Sequence, residues 1–229
     1  MSKYNKKTDE LLLSTAERLF FEKGYAEVSG RGICEVAGVS RSRLQYYYAD
    51  KGELASIILR KSLADLHYKL GDCVFGKTGR TGTDQESDFV YMTTLIMCFV
   101  GILSKDISPS KFYSECMDAG VASRVLSEYL EKSMNILNRD IDHPYDERHI
   151  KTFSRMFANA FSANSKKYKT NDAQEDHSLF FGEVYSDLYM KMLDIDANKR
   201  KKIIDKAESI YKKLRISFKS MYEIEITKL

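Results

Sequence analysis

The 229-residue chain has few residues that break helices. It contains only two prolines, and scarce proline favours long helices because proline interrupts the backbone hydrogen-bond ladder. Tryptophan is absent, so the aromatic content consists of 15 tyrosines and 12 phenylalanines. Hydrophobic residues still make up 43% of the chain, which is enough for a sizeable core and argues against general disorder.

Cysteine is sparse and scattered. The four residues, Cys34, Cys73, Cys98 and Cys116, form no CxxC pair. The first ten residues are polar with three lysines, and no apolar segment follows them, so no secretory signal is expected. We therefore expect reduced thiols and a cytoplasmic protein.

Motifs of catalysis and of metal binding are also missing. The four histidines make no HxxxH or HExxH spacing, and no cysteine lies at metal-ligand spacing from any of them. A GxSxG elbow, a P-loop and a dinucleotide-binding glycine pattern are absent. We therefore expect neither an enzyme nor a metal or cofactor. The histidines are His67, His143, His149 and His177.

Long hydrophobic runs are limited to residues 89–103. This run is about one turn short of the roughly 20 residues that span a bilayer. Thr93 and Thr94 interrupt it. The run predicts a buried core helix, and no membrane partner is expected.

The excess positive charge is small and lies at one end. The first 70 residues hold 12 basic and 9 acidic residues, whereas the rest holds 24 of each. The formal net charge of +3 therefore belongs to the first third of the chain. This distribution fits a polyanion-binding N-terminal region.

Apolar residues at i, i+3, i+4 and i+7 predict an all-α fold. A glycine-rich loop is expected over 71–86. No segment combines sustained apolar–polar alternation with turn signals, so no sheet is expected. The expected helices span 8–23, 30–37, 41–48, 51–70, 87–104, 110–117, 121–138, 145–168, 173–193 and 198–224.

The strongest local pattern is a helix-turn-helix over residues 33–48. Gly38 supplies a left-handed backbone position, Val39 fills the corner, and Ser40 caps the next helix. In that helix Leu44 and Tyr48 are expected to face the core. The opposite face presents arginine and glutamine, whose side chains can read guanine and adenine in the major groove.

These residues belong to a longer pattern. The segments AERLFFEKGY (16–25), AGVS (37–40) and LQYYYADKGEL (44–54) resemble the tetracycline-repressor (TetR/AcrR) family in order, spacing and helix length. The resemblance covers about residues 11–54. It implies a DNA-binding three-helix domain over 1–52 and a helical ligand-binding and dimerisation domain over 53–229.

The resemblance also implies the DNA contacts. In that family the position of Arg31 can reach a base, and the positions of Arg41, Ser42 and Gln45 read the groove. The positions of Tyr47 and Lys51 hold phosphates. Taken singly, the arginines could be a solvated face and the tyrosines packing residues. The full expected set is Arg31, Ser40, Arg41, Ser42, Arg43, Gln45, Tyr46, Tyr47 and Lys51.

The sequence departs from the family pattern at a few positions. Gln45 stands where the family usually has tyrosine, and Gly52 replaces a common acidic residue. Gly30 and Gly32 each cost about 1 kcal/mol of helix stability relative to alanine. These departures bear on the operator sequence and leave the DNA-binding interpretation in place.

Residues 89–161 are rich in aromatic side chains and methionine, which suit an adaptable apolar pocket. The family implies such a pocket, whereas an ordinary helix core is the alternative. We expect a small, largely apolar or aromatic effector. The expected lining residues are Tyr91, Cys98, Tyr113, Met117, Phe157 and Phe161.

An apolar stripe on the expected last helix predicts a homodimer interface, formed together with residues 179–193. A palindromic operator requires paired recognition helices, although the stripe could instead dock on its own domain. The expected interface residues are Leu179, Tyr185, Ile203, Ala207, Ile210, Leu214, Phe218 and Met221.

The sequence therefore predicts a homodimeric, effector-released repressor that binds double-stranded DNA. Activation instead of repression stays open. The alternative is a thiol-based redox regulator of the same fold, using Cys73, Cys98 or Cys116.

Overall fold

The computed structural model describes residues 6–75, 84–105, 108–141, 144–164 and 177–229. Most of the glycine-rich segment, the ends of two expected helices and the side chains of His143 and His177 lie outside the described residues. The described elements are α1 (Lys6–Lys23), α2 (Gly30–Ala37), α3 (Arg41–Tyr47), α4 (Lys51–Phe75), α5 (Gln85–Leu103), α6 (Ser108–Asp118), α7 (Val121–Leu137), a 3-10 turn (Asn138–Asp140), α8 (Glu147–Ala163), α9 (His177–Lys191), α10 (Ala197–Tyr211), β1 (Leu214–Ser220) and β2 (Glu223–Lys228).

The first three helices form as the sequence predicts. Ser29 caps α2 by accepting a hydrogen bond from the Gly32 amide at 3.0 Å. Gly38 ends α2 in the left-handed conformation, with φ at 65°, which glycine adopts without steric cost. Ser40 then caps α3 by accepting from the Arg43 amide at 3.3 Å. The helix-turn-helix is therefore confirmed.

The start of α4 is fixed by a reciprocal pair of side-chain caps. Asp50 accepts a hydrogen bond from the Glu53 amide at 2.9 Å. Glu53 in turn accepts from the Ala49 amide at 2.7 Å, one residue before the cap. Satisfying two otherwise unbonded amides fixes the residue at which α4 begins.

Helix α5 is the central core helix of the second domain. By length and composition it could cross a membrane, but 83% of its most apolar window is buried inside the domain. Helices α9 and α10 pack closely against it, because a Cβ at Gly182 would lie 2.8 Å from Met97 and one at Gly101 would lie 2.2 Å from the Tyr211 hydroxyl. The buried core helix is confirmed.

The prediction for the end of the chain is wrong. Helix α10 ends at Tyr211, and β1 and β2 form an antiparallel hairpin in which Ile216 pairs with Ile226 and Phe218 with Ile224. The error has a physical cause. Positions 214 and 218 satisfy a helical period and a strand period alike, whereas the β-branched residues at 216, 224 and 226 favour the strand.

The hairpin reaches back to the start of the chain. Its turn residue Met221 is fully buried, and the Met221 amide donates to the Glu17 carboxylate of α1 at 2.7 Å. The Ile224 amide donates to the Asp65 carboxylate of α4 at 3.0 Å. The hairpin thereby ties α1 of the DNA-binding domain to the middle of α4.

The Glu17 contact predicts a pH dependence of stability. Burial raises the pKa of the Glu17 carboxyl, and the hydrogen bond from Met221 opposes this in part. A raised pKa in the folded state means that this group's stabilisation is present at low pH and is lost as pH rises through its folded pKa.

Glu17→Gln keeps an acceptor oxygen for the Met221 amide and removes the buried charge. Relative to the wild type, the free energy of unfolding of Glu17→Gln should rise between about pH 4 and about pH 8. Urea titrations at both pH values measure the difference. Glu22→Gln, at an exposed position of the same helix, is the control, and a difference for Glu17→Gln that does not change with pH contradicts the assignment.

Candidate nucleic-acid interface and ligand chamber

Helix α3 presents one polar face and one buried face. Arg41, Ser42, Arg43 and Gln45 are exposed, whereas Leu44 is buried. Tyr48, immediately after the helix, is also buried, and its hydroxyl donates to Asp9 of α1. The split of faces expected from the sequence is therefore present, and the arginine and glutamine side chains are available to a groove.

The serines of this region and Arg31 already have partners within the domain. The Ser40 hydroxyl, besides capping α3, lies 3.0 Å from the Ser42 hydroxyl. The Arg31 Nε donates to Glu35 at 2.7 Å, and both side chains are exposed. Because an exposed ion pair contributes little to stability, Arg31 can leave Glu35 at small cost to reach DNA.

The tyrosines after Gln45 differ in exposure. Tyr46 is exposed and Tyr47 is half-buried, and their rings meet edge to face with centroids 5.1 Å apart. A phosphate contact from Tyr47 is compatible with its position, and it stays a prediction. Tyr48 is the packing residue that the sequence predicts.

The Lys51 ammonium is partly engaged within its own domain, and its expected phosphate contact stays a prediction. Its ammonium donates to the Tyr25 carbonyl at 3.0 Å and to the Val28 carbonyl at 2.9 Å, and it lies 4.1 Å from the centre of the Tyr25 ring. These contacts hold the turn between α1 and α2. They use two of its three N–H groups, so a phosphate contact from Lys51 can use only the third.

Helix α6 of the second domain also contacts the turn between α1 and α2. The Ala26 amide donates to the Glu115 carboxylate at 2.7 Å. Lys111 forms an ion pair with Glu27. Sequence reasoning missed these contacts, because the partners lie more than 80 residues apart and single charged residues carry no spacing signal.

The second domain contains a small, wholly apolar chamber. Its volume is about 50 Å³. Phe157 and Phe161, two of the six expected lining residues, lie on its wall. The other lining residues come from α4, α5 and α7 and are Leu63, Leu66, Met92, Leu95, Ile96, Phe99, Leu126, Tyr129 and Leu130.

The remaining four expected lining residues lie elsewhere. The Tyr91 hydroxyl donates to the His67 carbonyl at 2.7 Å, and the Tyr113 hydroxyl is paired with that of Ser62 at 2.5 Å. Cys98 and Met117 are buried in the core and do not border the chamber. Helix periodicity places them inside the domain but does not say which buried side chains border a cavity.

A larger vestibule, mainly apolar but with several polar side chains in its wall, adjoins the chamber. Its volume is about 210 Å³, and it shares Met92 and Tyr129 with the chamber wall. The Tyr129 hydroxyl lies 2.5 Å from Nδ1 of His67. Sequence reasoning missed this site, because α4 and α7 supply its residues from distant positions. The other lining residues are Asp88, Lys132, Ser133, Ile136 and Leu137.

The cysteines give the redox alternative little support. Burial raises the pKa of the Cys98 thiol to about 12, and it also raises the pKa of Cys116 and of Cys34. A thiol that resists ionisation and is shielded from solvent reacts slowly with oxidants. Of the three cysteines in that alternative, Cys73 is the half-buried one. Across the described ranges, no group of three or more histidine, cysteine or acidic residues could hold a metal ion.

Most residues expected at the dimer interface pack within their own domain. Ile203 and Ala207 of α10 are fully buried, and Tyr185 of α9 packs on Phe161 with ring centroids 4.7 Å apart. Leu179 and Ile210 are half-buried. Leu214, Phe218 and Met221 belong to the hairpin, so no helical stripe continues through them. A continuous interface along a last helix is therefore wrong, because that helix docks within the same chain.

Another surface is exposed and largely apolar. On α9, Phe180 is 59% and Val184 is 46% exposed, and on the neighbouring α8 Met156 is 58% exposed. Asn159 and Ala163, which follow Met156 by three and seven residues, are also exposed and lie on the same side of α8. We call this surface, formed by Met156, Asn159, Ala163, Phe180 and Val184, the α8–α9 face.

Comparisons with known proteins agree with this arrangement. Residues 12–56 match the family model described as "Bacterial regulatory proteins, tetR family". No curated protein sequence matches the chain. Among solved structures, RolR in complex with resorcinol is similar, with 15% identity over 87% of this chain and 93% of that chain and a TM-score of 0.60.

Two further structures are similar at lower scores. A tetR-family regulator from Streptomyces coelicolor shares 14% identity over 90% of both chains, with a TM-score of 0.48. A gamma-butyrolactone receptor shares 15% identity over 90% of this chain and 98% of that chain, with a TM-score of 0.44. The family match therefore covers the segment that contains the capped helix-turn-helix and the exposed polar face of α3, and over that segment the chain is similar to bacterial regulatory proteins of the tetR family.

Proposed function

We propose that the protein is a cytoplasmic repressor that binds a palindromic operator as a homodimer and is released by a small, largely apolar or aromatic effector. The polar face of α3 is the observation that carries this proposal. Its arginines and Gln45 are exposed on a helix whose start is fixed by the Ser40 cap. A rigid, capped helix of this kind can enter a major groove without first having to order itself.

Within that face, Gln45 and Arg41 are proposed to read bases. Tyr47, together with the N-terminal end of α4, is proposed to contact phosphates, since amides at a helix start attract anions. Arg31, Ser40, Ser42, Arg43, Tyr46 and Lys51 complete the proposed contact set. Base contacts set sequence preference, whereas phosphate contacts set position on the duplex.

The proposed base contact can be tested directly. Gln45→Ala should weaken binding to the cognate operator by about 1–3 kcal/mol and leave binding to random DNA nearly unchanged. Fluorescence anisotropy with both duplexes at fixed salt measures the two losses. Lys201→Ala, which removes an exposed cation of α10, is the control. An equal loss on both duplexes for Gln45→Ala rules out a base-reading role.

The α8–α9 face is proposed as the dimer interface, in place of the stripe expected on the last helix. Its exposed apolar side chains, Met156, Phe180 and Val184, lie on two helices that contact each other through Phe161 and Tyr185, and exposed apolar surface of this kind marks an interaction site. A two-fold axis through this face would pair α8 and α9 with their counterparts in a four-helix arrangement, and a palindromic operator requires such a symmetric pair. The occupant is therefore a second copy of the chain.

The chamber of the second domain, together with the adjoining vestibule, is the proposed effector site. RolR, whose fold this chain shares, was crystallised with resorcinol, and a small effector of related size is proposed here. Helix α4 connects the two regions, because Leu63 and Leu66 line the chamber while Lys51 contacts the turn of the DNA-binding domain. A shift of α4 would change the spacing of the paired recognition helices, which must match about 34–36 Å per DNA turn.

A further inference from the structure

The chamber is too small to hold an effector alone. At about 50 Å³ it exceeds the roughly 10–15 Å³ that one water needs, but it is well below the roughly 150 Å³ of a cavity that holds benzene. Its walls are wholly apolar, so a polar or charged group inside it would lose its hydration without compensation. The chamber therefore fits the apolar end of a larger molecule.

The rest of that molecule can extend from the chamber into the vestibule. Met92 and Tyr129 line both the chamber and the vestibule of about 210 Å³. Methionine is flexible and adapts its shape to a neighbour, so a ligand can pass between these two side chains. A molecule seated in both spaces has its apolar end among the leucines and its other end beside His67.

The vestibule wall is mainly apolar and carries one charge of each sign. Lys132 and Asp88 contribute one charge of each sign, so neither a carboxylate nor an ammonium head group finds a site of uniform charge. Solvent also screens the exposed Lys132. An uncharged head group avoids both repulsion and the desolvation of an ion.

Tyr129 and His67 supply the matching hydrogen bonds. The Tyr129 ring borders the chamber while its hydroxyl lies at Nδ1 of His67. A phenolic hydroxyl can donate and accept, and a neutral imidazole does the same through its two nitrogens. The pair can therefore accept a hydrogen bond from a ligand hydroxyl or donate one to a ligand carbonyl, depending on the tautomer of His67.

We propose that the effector is an uncharged amphipathic molecule of about one ring in size. Its apolar end occupies the chamber, its body passes Met92, and its single hydroxyl or carbonyl group binds at the Tyr129–His67 pair. This inference rests on the proposed effector function and specifies the class of molecule.

Three matched probes test the class: 4-ethylphenol, ethylbenzene and 4-ethylbenzoate. Calorimetry on the full-length protein should give an affinity for 4-ethylphenol at least about tenfold above that for the other two. Ethylbenzene lacks the hydrogen bond to the pair, and 4-ethylbenzoate must lose the hydration of its charge. Tyr129→Phe keeps the ring and should remove most of the preference of 4-ethylphenol over ethylbenzene. Tyr68→Phe, at an exposed position of α4, should keep that preference.

The outcomes separate this inference from the proposed function. Tighter binding of 4-ethylbenzoate, an unchanged preference in Tyr129→Phe, or no binding of any probe overturns the inference, even where operator binding is intact. Binding of 4-ethylphenol with the expected loss in Tyr129→Phe supports it. If operator titration then shows no release by the bound probe, the site assignment stands and the release mechanism is wrong.

Discussion

Val184→Glu is expected to convert the protein from dimers to monomers and to abolish tight operator binding. The variant places a carboxylate within the apolar part of the proposed α8–α9 interface on each copy. An unpaired charge that becomes buried costs several kcal/mol, which corresponds to a loss of about 100-fold or more in dimer affinity. Analytical ultracentrifugation and operator titration measure the two effects.

The design of this experiment separates dimerisation from folding. Val184 is 46% exposed in the single chain, so a glutamate there leaves the monomer's own core intact. Tyr68→Glu, at a position 65% exposed on α4, is the matched control and should remain dimeric. A Val184→Glu protein that sediments as a dimer and binds operator like the wild type would show that the interface lies elsewhere.

Met221→Ala is expected to lower the free energy of unfolding by about 2–5 kcal/mol, the usual cost of truncating a fully buried large side chain. Met221 is completely buried at the turn of the hairpin, and its amide is bonded to Glu17. Removing the side chain leaves a cavity where the hairpin meets α1. Chemical denaturation followed by circular dichroism measures the loss.

The control for the hairpin is an exposed position of the same element. Thr227→Ala on β2 should change stability by less than about 0.5 kcal/mol, as surface substitutions usually do. If Met221→Ala is as mild as Thr227→Ala, the hairpin is not packed against the body of the protein. That result would contradict the turn's burial, on which the tie between α1 and α4 depends.

The sequence determined the DNA-binding region because its signals are local. The cap at Ser40, the left-handed Gly38 and the inward Leu44 lie within a few residues of one another, and backbone geometry alone dictates what such neighbours do. The same holds for the cap at Asp50 and for the apolar run that becomes α5. These features needed no knowledge of the rest of the chain.

Tertiary structure alone decided which buried side chains meet. Three hydrogen bonds join positions from 23 to 89 residues apart. They link His67 with Tyr129, Glu115 with the Ala26 amide, and Lys51 with the Val28 carbonyl. A helical period states that a residue faces inward and does not identify its partner. For that reason the family pattern could assign Lys51 to phosphate, whereas the structure uses most of its ammonium to hold a turn.

The C-terminal residues show most clearly where local sequence signals fail to predict the structure. Residues 214–228 contain spacings that suit a helix and a strand, and local propensity separates the two by about 1 kcal/mol or less per residue. Tertiary contacts favour the hairpin over a helix here. Met221 and Ile224 are buried in the hairpin, and their amides donate to the Glu17 and Asp65 carboxylates. By itself, the sequence therefore determined the helix-turn-helix, the helical fold and the exposed polar face of α3. Only the packed structure decided the hairpin, the chamber with its vestibule, and the exposed face on α8 and α9, because each depends on burial between distant segments.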